Sequence, residues 1–185
     1  MAKLNEIIQW CDHILKSPEF KDYAPNGLQI EGKPDVNKIL CAVTASQGAI
    51  EAAIEQGADM LLVHHGYFWK GEPYPITGMR GKRIKSLIQH DISLAGYHLP
   101  LDSHPTLGNN AAIADILALE NIEALDPSER HPIGNIGYLK QPVSAEEFKL
   151  YVSQRLDFNA IHLAADKKSI QKIGFCTGGA QDFIG

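Results

Sequence analysis

The chain has 185 residues, of which 44% are hydrophobic and 21% charged, with a formal net charge of -5. That length holds one domain or two small ones with a real core, and the composition excludes a disordered chain. The mild acidity gives no reason to expect nucleic acid or an anionic membrane as the main partner, and no apolar run approaches the ~18 residues of a membrane span.

The opening Met1-Ala2-Lys3-Leu4-Asn5-Glu6 lacks the apolar core of a signal peptide. Cys11, Cys41 and Cys176 are far apart and form no CxxC, so they are expected to be reduced thiols packed as small hydrophobes in a cytoplasmic protein.

Leu4, Ile7, Ile8, Cys11, Ile14 and Leu15 recur at helical spacing, predicting an amphipathic helix over 4–16 that Pro18 ends. Tyr23-Ala24-Pro25-Asn26-Gly27 is turn chemistry, and residues 28–32 alternate as a short strand. Residues 38–44 are a buried strand. Ser46 is placed to cap a helix bearing Ile50, Ala53 and Ile54, and Gly57 closes it. With the strand 59–63 this makes a β-α-β unit with parallel strands. A basic helix over 81–90, a strand over 92–97 and a helix over 109–119, capped by Asn109 or Asn110, complete the first part.

Polar residues accumulate over 126–132, which is the best boundary and divides the chain into domains 1–125 and 126–185. In the second, strands are expected at 136–139, 159–164 and 172–177. Ser144 and Glu147 have capping-box spacing at the start of a helix. Residues 38–50 and 172–184 align without gaps on Lys, Ile, Gln and Ile, with small residues in both turns. A true repeat makes two similar α/β halves, the second cut before the counterpart of strand 59–63, so the chain is expected to be a fragment.

The chemistry concentrates at His64-His65-Gly66, which closes the apolar run Met60-Leu61-Leu62-Val63, and at His98-Leu99-Pro100-Leu101-Asp102-Ser103-His104. Imidazoles and a carboxylate at strand ends suit a metal site in an α/β protein, and such mixed donors favour Zn, Mn, Fe or Co over Ca. Successive strand side chains diverge, so His64 and His65 are expected to meet only where the strand has ended and Gly66 turns the backbone. Two diverging histidines suit two neighbouring ions. The alternative, a hydrogen-bonded pair at a strand edge, stays open. His98 is either a third ligand or a base beside the metals, and Asp102 either a ligand or a turn cap. His104 is expected to be a loop residue, and His13, His90, His131 and His162 to be structural.

Tyr67-Phe68-Trp69 is either a pocket wall or packing over the sheet. Gly78-Met79-Arg80-Gly81-Lys82-Arg83 lacks the spacing of a phosphate loop, and the basic cluster of Arg80, Lys82, Arg83 and Lys85 is expected to be a solvated face. With no GxSxG and no cysteine signature, metal-activated water is the best-supported nucleophile.

Asp22-Tyr23-Ala24-Pro25-Asn26-Gly27-Leu28-Gln29, Val63-His64-His65-Gly66, Tyr97-His98-Leu99-Pro100-Leu101-Asp102 with Gly108-Asn109-Asn110, and Cys176-Thr177-Gly178-Gly179 closely resemble the GTP cyclohydrolase I type 2 homologue family, the NIF-three-like proteins. The resemblance covers essentially the whole chain. It implies two similar α/β domains with mixed sheets flanked by helices, a ring-like homohexamer, and two divalent ions (Zn, Fe, Mn or Mg) per full-length subunit. By the resemblance, His64 and His65 each bind a metal, Asp102 is a carboxylate ligand and His98 sits beside the site as the candidate catalytic residue. The family also supplies a C-terminal His and Glu four residues apart, which this chain lacks, leaving three of five ligands. Weak or incomplete metal binding and little catalysis are therefore expected of these residues alone.

Two functions follow from this ligand set. One is a metal-dependent hydrolase acting on a nucleotide-like or phosphate-bearing small molecule. The other is a non-catalytic metal-binding or regulatory scaffold whose aromatic loop meets a partner.

Overall fold

The structure is a computed structural model that describes residues 1–164 and 169–181. It divides into two compact units, Met1–Leu101 and Asp102–Gly185. This division falls ahead of the polar stretch 126–132 because the strand Glu120–Ala124 (β7) pairs with Asn135–Val143 (β8) across that stretch.

In the first unit, the two-residue strands Ala2–Lys3 (β1) and Asp35–Val36 (β3) pair antiparallel, and both are too short for periodicity to show. Helix α1, Leu4–Leu15, ends at Lys16 in the left-handed conformation, with Pro18 in the 3-10 turn beyond it. The main sheet has the order β2-β6-β5-β4, made of Gly27–Ile30 (β2), Ser93–Gly96 (β6), Met60–His65 (β5) and Ile39–Thr44 (β4). β4, β5 and β6 are parallel and β2 is antiparallel to β6, a mixed sheet. Helix α2, Gln47–Glu55, joins β4 to β5; the Ser46 hydroxyl accepts the Ala49 N–H as predicted. Helix α3, Gly78–Gln89, begins three residues earlier than its sequence pattern suggests.

Strand alternation divides the core between the two faces of this sheet. Leu61, Val63 and Leu94 pack with Ile50, Ala53, Ile84 and Leu87 of α2 and α3. Met60 and Ala95 pack with Leu4 and Cys11 of α1. Helices thus cover both faces of β5 and β6, which explains the near-continuous apolar run of β5. β4, expected to be buried, is instead an edge strand with Ile39, Cys41 and Val43 exposed, because no element covers that side of it among the described residues.

The short helix Leu99–Asp102 (α4) spans the junction in sequence, and Asn109–Ile116 (α5) follows. The N-cap of α5 is Gly108, without a side-chain cap bond, rather than Asn109 or Asn110. In the second unit, β7, β8 and Ile170–Phe175 (β9) form an antiparallel sheet of order β7-β8-β9. β7 escaped the sequence pattern because most of its residues are exposed, so it shows no apolar alternation. Helix α6, Ala145–Arg155, opens on the predicted Ser144–Glu147 capping box. Ala114, Leu117, Leu119 and Ile173 form the core here.

The strand expected at 159–164 does not form. Ile161 and Leu163 are 91% and 87% exposed, and His162 Nδ1 instead meets Glu146 Oε1 at 2.9 Å. An apolar alternation without a neighbouring strand to pair with gains no ladder bonds. The last part of the proposed repeat, 182–184, lies outside the described residues. No described helix is long and apolar enough to cross a membrane.

Candidate metal centre

β5 delivers His64 and His65 to the carboxyl end of the parallel strands, where the chemistry of open α/β sheets is placed. Pairing persists further than the sequence suggests: Thr44 lies opposite His65, so the strand has not ended when the histidines arrive. The rings nonetheless meet, with centroids 4.3 Å apart and planes tilted by 46°. Each is tied to a different neighbour. His64 Nδ1 lies 2.9 Å from the Tyr97 carbonyl oxygen beyond β6, and His65 Nδ1 lies 3.2 Å from Thr44 Oγ1 at the end of β4.

His98 joins them, its ring centroid 5.1 Å from that of His64 and 5.7 Å from that of His65. One ligand nitrogen from each of the three histidines lies within 4.8 Å of the others. A carbonyl oxygen can only accept, so His64 Nδ1 carries a proton and Nε2 is the ring nitrogen left for a ligand.

Asp22 orients His98. Its Oδ1 accepts from His98 Nδ1 at 2.8 Å, and its Oδ2 accepts from the Leu99 amide and Asn26 Nδ2, both at 2.9 Å. Asn26 Oδ1 in turn accepts the His98 amide at 2.7 Å. Burial acts to raise the Asp22 carboxyl, but the bonds from His98, Asn26 and Leu99 outweigh it and hold the group at about 2. An ionised Asp22 can only accept, so His98 Nδ1 carries a proton and Nε2 is the ring nitrogen left for other partners. Spacing gave no sign of this role, since Asp22 and His98 are 76 positions apart; only the resemblance drew attention to Asp22.

The aromatic loop resolves in part as a wall. The Trp69 ring is edge-on to His98 at 4.9 Å and 5.8 Å from His65. It is pinned by Trp69 Nε1 donating to the Gly66 carbonyl at 3.1 Å, and by its amide donating to Glu72 at 3.2 Å. Arg80 clamps the same loop through Glu72 Oε2 at 2.7 Å and the Pro73 and Pro75 carbonyls, so it is not part of a solvated basic face. Tyr67 packs instead: it is buried, and its hydroxyl donates to the Ala45 carbonyl at 2.6 Å.

Behind His64, Tyr97 is buried and its hydroxyl donates to Asp12 Oδ1 at 3.1 Å. Burial, followed by the Asp12 charge, pushes that phenol well above its usual range.

In the second unit, Asp102 is 4% exposed, and its Oδ1 accepts from Asn109 Nδ2 at 2.7 Å and Thr177 Oγ1 at 3.3 Å. Asn109 is therefore a partner of the carboxylate, not a helix cap. Asn110 binds the Ile133 carbonyl and the Thr177 amide. His104 is a loop residue whose Nδ1 accepts the Leu107 amide at 3.0 Å.

Comparison with known proteins agrees with these motifs. The chain is 51% identical over 173 residues to a Vibrio cholerae protein named GTP cyclohydrolase 1 type 2 homolog, covering 91% of this chain and 68% of the relative. A Pasteurella multocida protein of the same name is 48% identical over 186 residues, covering 97% and 71%. The solved structure of protein ybgI, of unknown function, superposes with a TM-score of 0.90 at 43% identity, covering 98% of this chain and 72% of that one. A family model for Duf34/NIF3 (NGG1p interacting factor 3) matches residues 2–185, and the chain belongs to that family.

Proposed function

We propose that this chain is a dinuclear metal-binding protein and a metal-dependent hydrolase that acts on a nucleotide-like or other phosphate-bearing small molecule. The observation that carries the reading is the convergence of three imidazole nitrogens within 4.8 Å at the carboxyl end of a parallel sheet. The donor set fits a divalent transition ion. Imidazole suits Zn or Fe, and the Nδ1 contact of His64 with a backbone carbonyl is the outer-shell arrangement typical of ligating histidines.

In this reading His64 and His65 hold the ions, two per full-length subunit, with Zn, Fe, Mn and Mg as candidates. Asp102 adds a carboxylate, an assignment supported by the family resemblance. Bound ions would supply Lewis-acid stabilisation of charge developing on a reacting oxygen. His98 gives or takes the proton at Nε2 while Asp22 keeps Nδ1–H fixed. Trp69 limits water and sets one wall of the substrate space. Cytoplasmic location and a homohexamer belong to the same reading and rest on the family.

The test is elemental analysis of this chain, a longer version, and the His64→Ala and His65→Ala variants, all purified without added metal. The reading expects about two ions per longer chain, and less metal in each variant than in the unsubstituted chain. Equal metal content in wild type and both variants overturns the site. Undiminished turnover by metal-free longer protein overturns the hydrolase assignment.

A further inference from the structure

β2 contains a fault that bears on the histidine pair. Leu28 pairs with Ala95 and Ile30 with Leu94, so Gln29 is an extra residue with no counterpart on β6. This is a β-bulge. Its signature is in the packing. Leu28 joins the α1 side of the sheet and Ile30 the α2–α3 side, whereas residues two apart on a regular strand share a face.

The bulge turns the Gln29 carboxamide across the end of β5. Its Oε1 accepts the Tyr67 amide at 2.7 Å, and its Nε2 donates to the Pro25 carbonyl at 2.8 Å. Two glycines make the room. A Cβ on Gly66 would stand 2.2 Å from Gln29 Oε1, and one on Gly96 would stand 2.9 Å from Nε2. Neither glycine has a positive φ, so close approach rather than turn conformation accounts for both. Gly66 directly follows His65, and Gly96 directly precedes Tyr97, whose carbonyl holds His64.

We propose that Gln29 is a positioning residue for the His64–His65 pair: its bulge-directed carboxamide is hydrogen-bonded to the Tyr67 amide just past His65 and packs closely against Gly96, beside the Tyr97 whose carbonyl holds His64. The inference rests on the metal-centre reading for its consequence but not for its geometry. Gln29 acts through Gly66–Tyr67, which it hydrogen-bonds, and through Gly96, which it packs against. Bulges beside functional sites commonly re-aim a side chain in this way.

The test uses Gln29→Met, which keeps the unbranched shape and removes both hydrogen bonds, and Gln29→Glu, which keeps the acceptor for Tyr67. Two readouts are taken on the whole chain. The first is the set of histidine ring NMR resonances in metal-free protein, with His162 as the internal control. The second is titration with Co²⁺ followed by its visible absorption. The expected result is displaced His64 and His65 resonances with His162 unmoved, and Co²⁺ binding weakened roughly 10–100-fold in Gln29→Met. Gln29→Glu should lie between Met and wild type. Unchanged His64 and His65 resonances in a folded variant overturn the proposal, and if the Met variant does not fold, the Glu variant decides by the same criterion. Failure of the wild type to develop a Co²⁺ spectrum overturns the metal reading alone, because the ring resonances still judge Gln29.

Discussion

Replacing Asp22 by Asn keeps the shape of the side chain and removes its charge, which separates the electrostatic part of the His98 anchor from its packing. The Asp22 side chain is 2% exposed, so solvent screens it little. Its carboxyl falls from 3.8 to about 2 in the folded chain. At ~1.36 kcal/mol per pH unit, that shift stabilises the fold by about 2 kcal/mol at neutral pH. The folded value lies below the unfolded one, so this stability is complete above pH 4–5 and is lost as pH falls toward 2, with about half gone by pH 3. The assay is urea unfolding of metal-free wild type and Asp22→Asn between pH 7 and pH 3, followed by tryptophan fluorescence. The variant should be less stable by about 2 kcal/mol at pH 7, with the gap narrowing to about half at pH 3. A gap that is absent at pH 7, or equally large at pH 3, refutes the claim that an ionised Asp22 holds His98.

Gly32→Ala should be among the most damaging single changes: the added Cβ would stand 2.3 Å from the Asp91 backbone carbonyl oxygen, and backbone cannot swing aside as a side chain can. A loss of roughly 3 kcal/mol or more is expected in chemical denaturation. Leu61→Ala empties a fully buried position in the β5 core and should cost about 2–5 kcal/mol in the same measurement. Asp59 accepts the Asn37 and Lys38 amides at 2.9 and 3.2 Å; the Asn37 bond outweighs burial and, with the Lys38 bond, holds the carboxyl below its usual range. Asp59→Asn should therefore destabilise the chain at pH 7 but progressively less in acid, seen as converging thermal midpoints. Ser144→Ala removes the capping-box hydroxyl of α6 and should cost about 1 kcal/mol, with the loss confined to hydrogen exchange in the second unit.

The elements that were plain in the sequence are those with strong periodicity and their own punctuation. α1 shows its 3.6-residue repeat, α2 its Ser46 cap, and α6 its Ser144–Glu147 box. The β4-α2-β5 unit shows as two apolar runs around a capped helix; β5 is apolar because helices cover it on both faces, whereas the apolar run of β4 lies on an edge strand that leaves Ile39, Cys41 and Val43 exposed. β7 and the segment 159–164 mark the limit. The first is a strand that packs little of itself, and the second is an apolar alternation left exposed without a partner. Their fates depend on a neighbouring strand, which is long-range information.

The site divides the same way. His64, His65 and His98 stand out by residue type at strand ends, and the structure brings all three together. The residues that orient them do not stand out. Asp22, Thr44 and Tyr97 reach the histidines from distant parts of the chain, two of them through a carboxylate or hydroxyl and one through a backbone carbonyl. Gln29 gains its place only because a bulge shifts the register of β2. Trp69 was visible as part of an aromatic cluster, but its role as a wall and Tyr67's role as packing were separable only by where each ring lands.

The most direct test of the metal centre is X-ray absorption at the zinc edge on the chain loaded with one equivalent of Zn²⁺. The account predicts a shell of nitrogen and oxygen donors at about 2.0–2.1 Å with the outer-shell scattering of at least two imidazoles, and loss of that imidazole signal in His64→Ala/His65→Ala. A sulfur shell at about 2.3 Å, or an oxygen shell that the double substitution leaves intact, would contradict it.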